Sequence, residues 1–264
     1  MLADSVARRG DAAMIDFLGR RFSYREMAAQ AARVAAGLQQ LGIGKADRVG
    51  LFLPNVPHYI AAYYGALIAG ATVVNFSPLY TVEELAAQVE DSGTGLLFTL
   101  SATALLPTAL KVLERSSLKQ LVVGSVAEVL PPVKSALFRL FKRREVAAIP
   151  VDPAVTTYAA LLDSGAAPTP VAIDAEADIA LIQYTGGTTG TPKGAMLTHQ
   201  NLTANARQVN AIDPDHDAPD RILGVLPMFH VFANTCVLNR TVLNGGMMTL
   251  LPRFEAGAAL KALS

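Results

Sequence analysis

Residues 48–76, RVGLFLPNVPHYIAAYYGALIAGATVVNF, decide the fold. The run 49–82 contains no Asp, Glu, Lys or Arg, and a charge-free run of that length first suggests a membrane span, which needs about 20 continuous apolar helical residues. Its punctuation argues otherwise. Pro54, Asn55, Pro57, Gly70 and Pro78 cut it into pieces of strand or helix length. Lipid would leave the backbone groups at those breaks unpaired. The pieces read as a strand over 48–53, a helix marked by Tyr59, Ile60, Tyr63, Leu67 and Ile68 and stopped near Gly70, and a strand over 71–76. Continuous apolar strands joined by a helix belong to a parallel sheet covered on both faces. A second bare stretch, 222–239, joins the same buried core.

The rhythm extends in both directions. Upstream, residues 14–18 and 21–22 flank a hairpin turn expected at Gly19-Arg20. Ser23 and Glu26 then form a capping box ahead of Met27, Ala31, Val34, Leu38 and Leu41 at helical spacing, with Gly42 as the stop. Downstream, Thr81 and Glu84 repeat the box. Strands follow at 95–100 and 119–124, with a helix over 104–114 between them. The fold class is therefore α/β, with mostly parallel sheets flanked by helices.

Residues 125–177 break the pattern and read as a variable insertion or linker, rich in proline at Pro150, Pro153, Pro168 and Pro170. Within it, Val133, Leu137, Leu140 and Phe141 share a helical face, with Lys134, Lys142, Arg143 and Arg144 around it. A basic amphipathic helix can lie on an anionic bilayer. The preferred expectation is a solvated helix that docks its apolar face on its own domain.

Composition excludes several classes. Of 264 residues, 52% are hydrophobic and 17% charged, too apolar for a disordered chain. Lys+Arg and Asp+Glu both number 22, so no charge excess calls for nucleic acid as a partner. Cys236 is the sole cysteine, which rules out an internal disulfide and disfavours a cysteine zinc site. A reducing cytoplasm fits, and the N-terminal residues lack the apolar run of a secretory signal.

The chemistry gathers where a buried strand over 178–184 runs into Thr185, Gly186, Gly187, Thr188, Thr189, Gly190, Thr191, Pro192, Lys193 and Gly194. Glycines let backbone N–H groups turn towards one anion, threonines add hydroxyl donors and Lys193 adds a positive charge. Together they suit a polyphosphate. It is not a Walker loop, because Lys193 follows Pro192 and precedes Gly194. The bland alternative, a glycine–threonine turn without ligand, is disfavoured by the buried strand that feeds it and the lysine that closes it. Further along, His230 follows a strand over 222–226 within Pro227-Met228-Phe229-His230-Val231-Phe232. A lone histidine among apolar residues is more often a bonded core residue than a catalyst.

The segment 184–201, YTGGTTGTPKGAMLTHQN, resembles the phosphate loop of adenylate-forming enzymes, most closely the bacterial long-chain fatty acyl-CoA synthetases. RVGLFLPN, GATVVNFSPLYTVEEL, LPMFHVFA and LPRFEAGAALKAL resemble segments of that family in the same order, so the resemblance covers nearly the whole chain. It implies the N-terminal part of an AMP-binding domain and an acid–thiol ligase. A carboxylate attacks the α-phosphate of ATP, pyrophosphate leaves, and the acyl-adenylate is captured by the thiol of CoA. The implied substrate is a medium- or long-chain fatty acid or a related dicarboxylate, with ATP, Mg2+ and CoA required. By resemblance, the eight positions Thr185, Gly186, Gly187, Thr188, Thr189, Gly190, Thr191 and Lys193 grip the triphosphate. Thr185 helps hold magnesium, Lys193 and His230 serve the chemistry, and Phe229 with His230 positions the acid. Gly186 stands where the wider family commonly has serine, which trades a hydroxyl for backbone freedom. His199, at the start of the helix after the loop, is expected to be structural.

Later family motifs (the adenine and ribose grip, a magnesium glutamate, the hinge and the C-terminal lid domain with its lysine) are not in this sequence. An inactive N-terminal fragment is therefore expected. An aryl- or amino-acid adenylating enzyme that loads a carrier protein is disfavoured, because 226–233 offers no acidic residue for a substrate ammonium. A non-catalytic nucleotide- or membrane-binding module is the reading from another class. Peripheral contact with the inner membrane through 133–144 and assembly as a homodimer are held as open expectations.

Overall fold

The structure, a computed structural model, describes residues 1–163, 165, 167–186, 192–216, 218–252 and 254–263. Its strands are β1 (Ala13–Phe17), β2 (Arg20–Ser23), β3 (Arg48–Leu51), β4 (Thr72–Asn75), β5 (Leu96–Leu100) and β6 (Gln120–Gly124). They continue with β7 (Val155–Thr157), β8 (Ile179–Thr185), β9 (Lys193–Thr198), β10 (Arg221–Gly224) and β11 (Met247–Leu250). A seven-stranded sheet runs β7-β6-β5-β3-β4-β8-β9, all neighbours parallel except β8 with β9. A four-stranded sheet runs β10-β11-β1-β2, with only β1 and β2 antiparallel.

The charge-free stretch is interior structure. It divides into β3, the helix Pro57–Ile68 and β4, with the helix buried from Pro57 through Ala66. A helix apolar on every side needs protein all round it. It packs on the helix Tyr24–Gln40, and a Cβ added at Gly65 would sit 2.5 Å from Val34 Cγ1 and 2.9 Å from the Ala31 carbonyl oxygen. Gly65 thus sets how closely the two helices approach. Among the described residues no helix is long and apolar enough to cross a membrane.

Both capping boxes form. Ser23 Oγ accepts from Glu26 N–H at 3.1 Å while Glu26 Oε2 accepts from Ser23 N–H at 2.7 Å, and Thr81 with Glu84 repeats the exchange. The hairpin turn sits one residue earlier than expected, at Leu18-Gly19, where φ is 53° and 91°. Positive φ at both central residues is the type I′ geometry, whose twist follows that of the flanking strands. Asp16 Oδ1 supports the turn by accepting from Gly19 N–H at 3.1 Å.

The chain order reverses at β3: the next strand lies on one side of it and the one after on the other. Right-handed crossovers then place the helices Pro57–Ile68 and Val82–Ser92 on opposite faces. Asn55 lies just beyond the carboxyl end of β3 and clamps the smaller sheet onto the larger. Its Nδ2 donates to the carbonyls of Gly224 at 3.1 Å and Leu226 at 2.8 Å, and its Oδ1 accepts from Met228 N–H at 2.8 Å. Tyr59 continues the seam. Its hydroxyl lies 2.8 Å from both Asn75 Oδ1 and the Met228 carbonyl, and Asn75 Nδ2 donates to Gln183 Oε1 at 3.2 Å.

One expectation is overturned. The helix Pro132–Phe141 has no buried residue, and Val133, Leu137, Leu140 and Phe141 are all exposed. It is seated by its other side, with Phe138 packed on the core and Ser135 Oγ donating to the Ala127 carbonyl at 2.7 Å. Periodicity identified the stripe but not the side that docks. At the root of this segment, Glu128 Oε2 lies 3.3 Å from His58 Nε2 and accepts from Ser125 N–H at 3.1 Å.

Asn55→Leu leaves two carbonyls and one N–H buried without partners, at about 1–3 kcal/mol for each such group. We expect a loss of about 3 kcal/mol or more in urea unfolding, whereas a loss below about 1 kcal/mol would refute the clamp. Burial pushes the Glu128 carboxyl up, but bonds from His58 and Ser125 outweigh it and hold the group below its ordinary 4.5. A depressed carboxyl stabilises the fold above its unfolded value and loses that contribution as pH falls. The stability gap between wild type and Glu128→Gln should therefore shrink from about pH 6 to pH 3. A constant gap in denaturation curves across that range would contradict it.

Candidate active site

Strand β8 is fixed up to its last buried residue. Leu181, Ile182 and Gln183 pair with Val73, Val74 and Asn75 of β4. The Tyr184 hydroxyl donates to Asp91 Oδ2 at 2.5 Å, and its ring stacks on Phe76 at 6.4 Å. Burial, then the bond to Asp91 and its charge, push the Tyr184 phenol well above its ordinary value, so it remains a neutral donor. Thr185, the next residue, is exposed.

The chain returns as β9, which sequence reasoning missed. Thr185 and Lys193 are register partners across this antiparallel pair, and Thr185 Oγ1 donates to the Lys193 carbonyl at 3.4 Å. Two groups eight positions apart thereby meet at one mouth, with Lys193 exposed. Gly187, Thr188, Thr189, Gly190 and Thr191 lie outside the described residues. Gly186 faces open space and is not among the positive-φ glycines, so its backbone shows no need for glycine. At Gly194 the need is steric, since a Cβ would come within 2.9 Å of Ile182 Cγ2 and 3.4 Å of Tyr184 Cζ.

The second half of the site follows β10. Met228 is buried, Phe229 is partly buried against the core, and His230 is exposed. His230 is therefore no packed core histidine. Its Nδ1 accepts from Phe232 N–H at 3.3 Å at the start of the helical turn Val231–Ala233, which assigns the proton of a neutral ring to Nε2. A π-helical turn, Asn234–Asn239, comes next, a geometry often found at functional sites. Inside it Asn239 Nδ2 donates to Asn234 Oδ1 at 2.9 Å, and the Tyr64 hydroxyl donates to Asn239 Oδ1 at 3.1 Å.

One hydrogen-bond chain joins the halves, from Gln183 through Asn75 and Tyr59 to the Met228 carbonyl. Gln183 stands two residues before Thr185, and Met228 two before His230. Sequence reasoning passed over Asn55, Tyr59, Asn75 and Gln183. The available signal was polar groups inside runs otherwise wholly apolar, because a buried polar group requires a partner. Burial, followed by the neighbouring Tyr63, raises the Tyr59 phenol far above its ordinary value against the opposing influence of Asn75 and Asn234.

The donor set at the mouth, a threonine hydroxyl and an ammonium, suits phosphate oxygens. Among the described residues no three His, Cys, Asp or Glu side chains cluster to hold a metal. His199 is the first residue of the helix His199–Ala211, capped by Thr198, as its place after the loop implied. Burial lowers its pKa against the opposing pull of Asp178.

The AMP-binding enzyme family matches residues 2–264. A long-chain-fatty-acid–CoA ligase of Bacillus subtilis (strain 168) is 39% identical over 268 residues, covering all of this chain and 47% of the relative. A ligase of the same name from Escherichia coli O157:H7 is 35% identical over 246 residues, covering 90% of this chain and 44% of the relative. The crystal structure of a long-chain-fatty-acid-CoA ligase from Archaeoglobus fulgidus superposes with a TM-score of 0.81 at 26% identity, over 99% of this chain and 48% of that one. The chain spans about half the length of the curated relatives it matches. Motif, fold and matched length agree, and the chain belongs to the AMP-binding enzyme family.

Proposed function

We propose that this chain is the nucleotide-gripping part of an acyl-CoA ligase acting on a medium- or long-chain fatty acid or related dicarboxylate, with ATP, Mg2+ and CoA. A carboxylate oxygen bonds to the α-phosphorus and pyrophosphate departs. The thiolate sulfur of CoA then bonds to the acyl carbon and AMP departs. The difficulty is charge, since one anion must approach another while a third leaves. Donors fixed beforehand around the leaving group stabilise its developing charge without reorganisation.

The observation that carries this reading is the pairing of Thr185 with Lys193 at the end of an immobilised strand. In the proposal the Lys193 ammonium meets the β- and γ-phosphates, together with Gly186, Gly187, Thr188, Thr189, Gly190 and Thr191. Thr185 adds its hydroxyl and a ligand position for the divalent cation, which supplies charge neutralisation when bound. Phe229 gives the acid an apolar wall, and His230 orients its carboxylate through Nε2–H. We place the protein in the cytoplasm or at the inner face of the membrane, read 125–177 as an insertion, and leave a homodimer open to sedimentation analysis.

In a chain extended to the relatives' full length, Lys193→Ala should lower ATP–pyrophosphate exchange by about 10²–10³-fold, the usual effect of losing one preorganised donor. Exchange within about threefold of wild type would overturn the triphosphate assignment. His230→Ala should reduce acid-dependent exchange at least about tenfold while ATP binding by calorimetry changes less than about twofold. Equal loss of both would make His230 a structural residue. The purified 264-residue chain should show no exchange above background, and appreciable exchange would refute its expected inactivity.

A further inference from the structure

The helix Pro132–Phe141 leaves an apolar stripe bare. Val133 is 71% exposed, Leu137 48%, Leu140 58% and Phe141 73%. These positions fall at i, i+4, i+7 and i+8, a single face, opposite the side that seats Ser135 and Phe138 on the body of the protein. Exposing four large apolar groups on one short helix is costly in water, at about 25 cal/mol per Å² of surface left wet.

Charge identifies the occupant. Residues 131–145 hold five cations, Lys134, Arg139, Lys142, Arg143 and Arg144, against the single carboxylate of Glu145, in a chain whose formal charge is zero. Glu145 is already engaged by Lys142 at 2.5 Å, and Lys134 Nζ donates to the Leu18 carbonyl at 2.7 Å. Arg139 borders the stripe on its other side, and Lys142, Arg143 and Arg144 follow its C-terminal end. The core of a protein–protein interface is depleted of lysine and tolerates arginine singly, and an unbalanced cluster of five cations would need a matching acidic partner. An apolar stripe edged with cations instead matches acyl chains beneath anionic headgroups, where long basic side chains keep their charges at headgroup level.

We propose that residues 132–144 dock this protein on anionic lipid bilayers, with Val133, Leu137, Leu140 and Phe141 entering the headgroup–acyl boundary and Lys142, Arg143 and Arg144 contacting lipid phosphates. The inference stands independently of the ligase chemistry above.

The chain contains no tryptophan, so Phe141→Trp installs a unique probe. Its emission should shift to shorter wavelength on adding phosphatidylcholine vesicles with about one-third phosphatidylglycerol, and stay unchanged with phosphatidylcholine alone. Replacing Lys142, Arg143 and Arg144 together by Gln should weaken co-sedimentation with the anionic vesicles about 100-fold. The double variant Leu137→Ser with Phe141→Ser should abolish it while the charges remain. All these sites are exposed, and unchanged circular dichroism will report an intact fold. Three results would overturn the proposal: no shift with anionic vesicles, equal binding to both vesicle types, or a blue-shifted probe before any lipid is added. The last assigns the stripe to a protein occupant, either a downstream segment of a longer chain or a second copy, and loss of a dimer in Phe141→Ser by analytical ultracentrifugation would identify the second copy.

Discussion

The Tyr59 hydroxyl sits 2.8 Å from both Asn75 Oδ1 and the Met228 carbonyl, in a seam where apolar side chains otherwise surround it. It has one proton to share, and burial keeps that proton in place at any ordinary pH. Apolar burial supplies far more of the folding free energy, but it is non-directional and would tolerate the two sheets sliding across each other. A buried polar group left unpaired costs about 1–3 kcal/mol. The Asn55 clamp and the Tyr59–Asn75–Gln183 chain together would lose several such pairings in any displaced register. Apolar contact therefore holds the sheets together, while this small network sets where they meet.

How much of this was legible in the sequence depends on how local each contact is. Strands β3 to β6 and their helices were readable because each apolar run is answered by the next, with proline and glycine marking the ends. The capping boxes at Ser23 and Thr81 were readable from spacing alone. Strand β9 was not, since Lys193, Ala195 and Met196 are exposed and its residues show no strand alternation. It is a strand because β8 offers it a ladder. The parallel pairing of β1 with β11 joins residues more than two hundred positions apart, as in Ile15 with Met248, and nothing local announces it.

The site divides in the same way. Thr185 and Lys193 could be singled out by residue type and spacing, and the hairpin register then explained why they meet. His230 illustrates the opposite difficulty. An apolar neighbourhood in sequence suggested burial, yet the turn after Met228 carries the ring outward and leaves Met228 as the buried member. Hydrophobic pattern reports which side chains gain from leaving water, not which neighbour receives them. The stripe at Val133 and Phe141 carries the same lesson, for there the apolar face is not the one that docks.

On the proposed reading the seam matters for chemistry as well as for stability. The triphosphate mouth hangs from one sheet and the acid-side turn from the other, so their separation is only as fixed as the connection between sheets. A displacement of about 1 Å between reacting groups can cost about 10²-fold in rate, equivalent to nearly 3 kcal/mol, without any loss of folded protein. Leucines at Asn55, Tyr59 and Asn75 would keep the apolar contact but leave backbone groups of Gly224, Leu226 and Met228 without their partners. They could not hold the Met228 carbonyl at a set distance from Gln183. The polar residues inside the charge-free stretch are thus accounted for by geometry: they hold the two halves of the proposed site in register.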